Sequence, residues 1–245
     1  MKRSLFLASF LGLLIPGAVA EAKGPVVTVS LVEGSAQALP KKAVGEAETG
    51  PPSDGAWRAL KIGQNLQEGD AVRTGEKGKL ELKLADGSRL RLGPGSTITL
   101  NASHLGEGGS RQVSVSLWVG RLWAKVAKKV GGDSSFEVET HNAVAGVRGT
   151  SFAVLAQADL SSMVKVYTGT VGVRKGSSPA SARNRKQVPG PSRIDQKQWE
   201  EVIASQMKAV KITALGEIAP AEDFADAGPE LEWAMWNQER DQKVQ

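Results

Sequence analysis

The residues that invite a chemical reading are few: two histidines, two groups of acids on alternating stretches, six tryptophans, and an arginine set between glycines. His104 stands in a Gly-rich stretch and His141 beside the end of an alternating run, and neither has a second histidine or a carboxylate at metal-ligand spacing. The chain has no cysteine, which excludes a thiolate metal site, a disulfide scaffold and a lipid-modified cysteine. No G-x-S-x-G elbow, Walker A loop, H-E-x-x-H helix or EF-hand loop occurs. Glu137 and Glu139 fall on one face of a single extended run, and Glu81 faces Lys83. Cleaving a glycosidic bond needs two acids from separate strands across a cleft, so these read as solvated faces. The expectation is a protein without catalytic residues, cofactor or metal.

Two other groups are candidates for binding. Trp118 and Trp123 lie within one alternating stretch and offer a stacking surface for a glycan, although tryptophan in strands is more often packing. Arg148 sits in Gly146-Val147-Arg148-Gly149-Thr150, where glycines permit a tight corner and the guanidinium either locks it onto carboxylates or carbonyls or faces a protein partner. The corner reading is preferred, because a bidentate arginine is a common way to satisfy a β corner.

The elements that must hold these residues are strands. Val26 to Val32 is a β-branched run closed by Glu33-Gly34-Ser35, residues 40–54 read as a loop, and Trp57, Leu60 and Ile62 resume an apolar pattern. Leu80, Leu82 and Leu84 alternate with Glu81 and Lys83, Asp86-Gly87 follows, and Leu90 and Leu92 alternate with Arg89 and Arg91. That is a hairpin with a leucine face and a charged face, its Asp-Gly suited to a type I′ turn. Thr97 to Leu100 is a further strand, residues 102–111 read as a loop, and the alternation of 112–126 reads as a strand pair divided at Gly120. Strands recur about every ten residues from 26 to 173 with turn residues between them, predicting an all-β, antiparallel sandwich or roll of short strands.

The ends differ in kind. Lys2 and Arg3, an apolar stretch over 5–15, Pro16-Gly17 and Ala18-Val19-Ala20 form a signal peptide over residues 1–20, too short in its apolar core to span a membrane. No later run approaches spanning length, so the expected mature protein is soluble in the periplasm or outside the cell. Removing Lys2 and Arg3 takes the formal charge from +5 to +3. Residues 172–211 hold nine basic and three acidic residues, whereas 216–245 hold eight acidic and two basic, so the acidic end can neutralise the basic stretch in the fold. Without interleaved aromatic residues, the basic stretch does not predict nucleic-acid binding.

The β domain is thus expected over 21–175, a Ser/Pro/Gly/Arg linker over 176–193, and a helical C-terminal tail over 194–245. Asp195 is a candidate N-cap, Trp199, Val202, Ile203, Met207 and Val210 recur at helical spacing, and a second helix is expected from Glu230 to about Gln242. Such helices must bury a face, by default on the β domain.

Several blocks resemble the FecR domain family: Gly69-Asp70-Ala71-Val72-Arg73-Thr74-Gly75, the run from Leu80 to Leu92, Gly120-Arg121-Leu122-Trp123-Ala124, Phe136 to Thr140, and Ala143 to Phe152. The resemblance covers about 65–174, and its last block is the most specific. It implies a periplasmic all-β domain of the kind found in regulators that relay a signal from an outer-membrane receptor to a sigma factor. Those regulators place a cytoplasmic segment and a spanning helix before the domain, whereas Met1 here leads into a cleavable signal. The expectation is therefore a stand-alone exported module with a protein partner in the envelope, the alternative being a glycan or peptidoglycan binder.

Overall fold

The computed structural model of the chain describes residues 27–41, 55–105, 111–128, 134–147, 149–176 and 201–243. Among these residues it has seventeen strands and one α-helix. The strands are β1 (Val27–Glu33), β2 (Ala36–Leu39), β3 (Arg58–Ala59), β4 (Asn65–Leu66), β5 (Ala71–Thr74), β6 (Lys79–Leu84), β7 (Arg89–Leu92), β8 (Thr97–Leu105) and β9 (Arg111–Lys125). They continue as β10 (Ser135–Glu139), β11 (Ala143–Val147), β12 (Ser151–Ala156), β13 (Ser162–Thr168), β14 (Thr170–Lys175), β15 (Glu201–Ser205), β16 (Lys208–Ile212) and β17 (Glu222–Asp223), followed by helix α1 (Gly228–Gln242).

The ladders form two layers. In the first, β4 and β6 both pair with β1, and the order runs on through β7, the C-terminal part of β9, β12, β13, β16 and β17. In the second the order is β3, β2, β5, β8, the N-terminal part of β9, β10, β11, β14 and β15. Every named pairing is antiparallel except β9 with β10. Strand β9 belongs to both layers: residues 111–119 pair with β8 and residues 120–125 with β7 and β12. The bend falls at Gly120, whose φ of 96° and whose Cβ position, 2.5 Å from the Ser96 Cα, admit no side chain. The all-β prediction holds, but 112–126 is one bent strand rather than a pair, and β8 extends to Leu105 through residues read as loop.

The alternation read in the sequence decides what the layers enclose. Leu80, Leu82, Leu84, Leu90, Leu92 and Leu122 point inward from the first sheet and meet Val72, Ile98, Val115, Phe136, Val138 and Val173 of the second, all at most 1% exposed. Burying each such side chain contributes on the order of 1.5 to 3 kcal/mol before ordering entropy is subtracted. The β6–β7 hairpin forms in the predicted register, Leu82 opposite Leu90. Its turn is three residues long rather than two: Gly87 N–H donates to the Leu84 carbonyl and Leu84 N–H to the Ser88 carbonyl. Only Gly87 takes positive φ, which makes this a type I turn with a glycine bulge.

The C-terminal part departs most from expectation. Residues 201–212, read as helix, are instead β15 and β16, joined at Gln206-Met207, with Met207 at φ 60° and its N–H donating to the Val166 carbonyl. Val202 and Ala204 align with Val173 and Val171, and Val210 with Val164, so the edges of the two layers recruit this segment as strand, with Ala204 and Val210 buried. The second predicted helix is present as α1, with Pro229 in its first turn. Residues 1–20, the loop at 42–54, the linker from 177 to 193 and Asp195 with Trp199 lie outside the described residues.

Candidate functional site

Charged and aromatic residues take much of the first sheet's outer face, Glu81 on β6, Arg89 and Arg91 on β7, Trp123 and Lys125 on β9, Lys165 and Tyr167 on β13, with Ala153 of β12 among them. The charged face of the hairpin, read as solvated, is covered. Helix α1 lies over it, and Arg91 and Glu81 are 0% and 3% exposed. Arg91 donates through Nε to Glu81 Oε2 at 2.6 Å and through Nη1 to Asp241 Oδ1 at 2.6 Å, so the β6–β7 hairpin is tied to the last turn of α1. Arg89 and Ser30 donate to Glu81 Oε1 at 2.8 and 2.7 Å. The Asp241 carboxylate also accepts from Trp123 Nε1 at 3.2 Å, and its main-chain carbonyl accepts from Lys125 Nζ at 2.6 Å.

The other end of the segment is held in the same way. Asp226 accepts from Lys165 Nζ at 2.8 Å and from the Tyr167 hydroxyl at 2.7 Å, and Glu230 pairs with Arg121 at 3.0 Å. Between these anchors, Trp233 and Ala234 of α1 pack on Trp123, Ala153 and Tyr167, forming an apolar cluster separate from the one between the sheets. Trp236 stacks on Trp233 with ring centroids 5.3 Å apart, and the Lys79 ammonium lies 4.6 Å from its ring centroid.

Burial acts on two ionisable groups here. Desolvation would raise the Glu81 pKa, but hydrogen bonds from Arg91 and Ser30 and the charges of Arg91 and Arg89 outweigh it and hold the carboxyl below its ordinary value. The Tyr167 hydroxyl is pushed well above its ordinary range by burial and then by its bond to the Asp226 carboxylate. The layer is not closely filled. A cavity of about 320 Å³ opens beside Trp123, Lys125, Tyr167, Gln238 and Asp241, and one of about 200 Å³ lies between Arg121, Lys79 and Trp233. Three buried donors in the layer have no hydrogen-bond partner, Arg89 Nε, Arg91 Nη2 and Trp233 Nε1, while Arg240 Nε lies 3.6 Å from Glu81 Oε2.

The residues singled out from the sequence fall elsewhere or take other roles. Trp123 is 0% exposed beneath α1, so it presents no face to a sugar; Trp118 is half-buried and donates to Thr99 Oγ1 at 2.9 Å. Gly146 lies within β11, opposite Glu137 and Gly172, and a Cβ there would meet nothing closer than 4.0 Å, so it is not part of a corner. Gly149 does form one. At φ 67° it turns the chain from the second sheet into the first, and Thr150, 2% exposed, packs where a Cβ on Gly169 of the β13–β14 corner would stand. Arg148 lies outside the described residues. Glu139 accepts from Ser114 and Glu137 pairs with Arg174 at 3.2 Å, both half-buried on the outer face of the second sheet. Among the described residues no group of three or more His, Asp or Glu is placed to hold a metal. The covered layer itself escaped the sequence reading, though the acid surplus after residue 216 pointed toward it.

Comparisons with known proteins bear on the same strands. Residues 70–172 match the family described as FecR protein. Two crystal structures of a proposed anti-sigma factor from Parabacteroides distasonis, at 1.65 and 2.50 Å, are similar at 20% and 21% identity, each with a TM-score of 0.46 over 69% of this chain. The alignment covers 64% of either of those chains. Among curated proteins none matches.

Proposed function

Since residues 70–172 carry a FecR domain, we propose that the protein is a non-catalytic signalling or protein-interaction module of the cell envelope, exported by residues 1–20 and cleaved after Ala20. The family match carries this reading: it spans from just before β5 into β14, which includes the bent strand and the hairpin whose charged face binds α1. Export rests on the tripartite pattern of residues 1–20. With Trp123 enclosed, the glycan alternative lacks one of its two stacking residues.

The test is to express the full chain with a photo-crosslinking residue at exposed Ile203 or at half-buried Trp118. The recovered protein should start at Glu21, fractionate with the periplasm or medium, and form a discrete adduct with an envelope protein. Recovery from the cytoplasm with Met1 in place would overturn the assignment to the envelope, and retention on purified cell wall without any protein adduct would restore the glycan reading.

A further inference from the structure

The first sheet's outer face and the segment covering it have opposite charge. Lys79, Arg89, Arg91, Arg121, Lys125 and Lys165 stand on the strands around Glu81, whereas residues 222–243 contain seven acids and two bases. The hold is ionic at both ends and aromatic between them. Trp233 and Ala234 are the buried apolar residues of α1, while Leu231 and Met235 are 44% and 60% exposed on its far side. Both cavities and the three donors without a hydrogen bond lie along this one interface. The apolar cluster under α1 is separate from the one between the sheets, so lifting the helix leaves the inter-sheet core closed. A contact that leaves cavities and unsatisfied donors opens more easily than the closed core between the sheets.

Building on the interaction-module reading, we propose that this basic face, with Trp123 and Tyr167 at its centre, is a docking surface for an acidic amphipathic helix of a partner protein. Residues 222–243 occupy it in cis as a built-in competitor. The segment is itself the template for what the face accepts: carboxylates spaced to reach Lys165 and Arg121 at one end and Arg91 at the other, with an indole between them. A partner's apparent affinity is then its intrinsic affinity reduced by the fraction of molecules in which α1 is lifted. Because both occupants are held by charge, salt weakens both.

A fluorescent peptide of residues 220–245 is the probe, added to the full-length protein and to its Asp226→Asn/Asp241→Asn variant. Hydrogen exchange of α1, β9 and β12 is followed in both. Amides of α1 should exchange faster than those of β9 and β12, and the peptide should bind the variant about tenfold more tightly than the unaltered protein, since the cis competitor is weakened. A peptide carrying both Asp→Asn changes should bind less well. The proposal is overturned if α1 exchanges only as slowly as β9, if the variant loses protection in β9 and β12 as well, or if the variant frees α1 yet takes up no peptide. None of these outcomes touches the interaction-module reading, which is read from envelope adducts through any face.

Discussion

Arg91 shows how one residue can change meaning between sequence and structure. In the sequence it is an alternate, outward position of a hairpin, and it is 0% exposed because Asp241 arrives from 150 positions away. Removing it leaves Glu81 with Arg89 and Ser30, and Asp241 with Trp123 and Ser151, each without its closest cation. Arg91→Ala is expected to cost about 3 kcal/mol, read from the urea midpoint, at the low end for a broken buried pair because both carboxylates keep other donors. Glu81 adds a pH dependence with a definite sign. Its folded pKa lies below the unfolded 4.5, so its contribution is present above pH 4.5 and is lost as pH falls through the folded value. Glu81→Gln should flatten the acid limb of stability against pH. Tyr167 acts at the other extreme. It is the only tyrosine, its pKa is raised, and its contribution is present below the ordinary phenol value of about 10 and lost above it. Phenolate absorbance should appear only as the protein unfolds at alkaline pH, and a reversible titration near pH 10 with the fold intact would refute the burial.

At the scale of elements, the strands whose alternation faces a nearby partner were legible, and those decided by distant partners were not. The β6–β7 hairpin could be read because five leucines and a glycine turn settle its register locally. Strands β15 and β16 could not, because Val202, Ile203 and Val210 satisfy a helical spacing as well as an extended one, and what selects the strand is the open edges of β14 and β13. The charged layer was misread for the same reason: an outward Glu-Arg alternation looks the same under water as under a helix. Gly120 was seen as a break, but its role as the bend shared by both sheets needed the ladder on each side. Gly120→Ala should cost roughly 3 kcal/mol, from left-handed backbone strain plus overpacking against Ser96. Thermal melting checks this, and a loss well under 1 kcal/mol would mean that the bend accommodates a side chain.

For the whole molecule, both sheets continue past the boundary expected near residue 175. Strands β15 and β16 extend the two sheets, and α1 roofs the first. A chain ending at residue 200 would bare the edges of β13 and β14 together with Trp123 and Tyr167, and is expected to aggregate, as light scattering would show. A monomeric, cooperatively melting fragment would instead place the domain end where the sequence suggested. The tie between Arg91 and Asp241 then has a consequence for synthesis. Asp241 follows the hairpin arginine by 150 positions, so Arg91 waits for its second carboxylate until α1 has been made. Ending the chain at Arg240 would keep every described strand and nearly all of α1 while leaving that arginine half-paired, so a hairpin made early stays incompletely neutralised until a helix made much later closes over it.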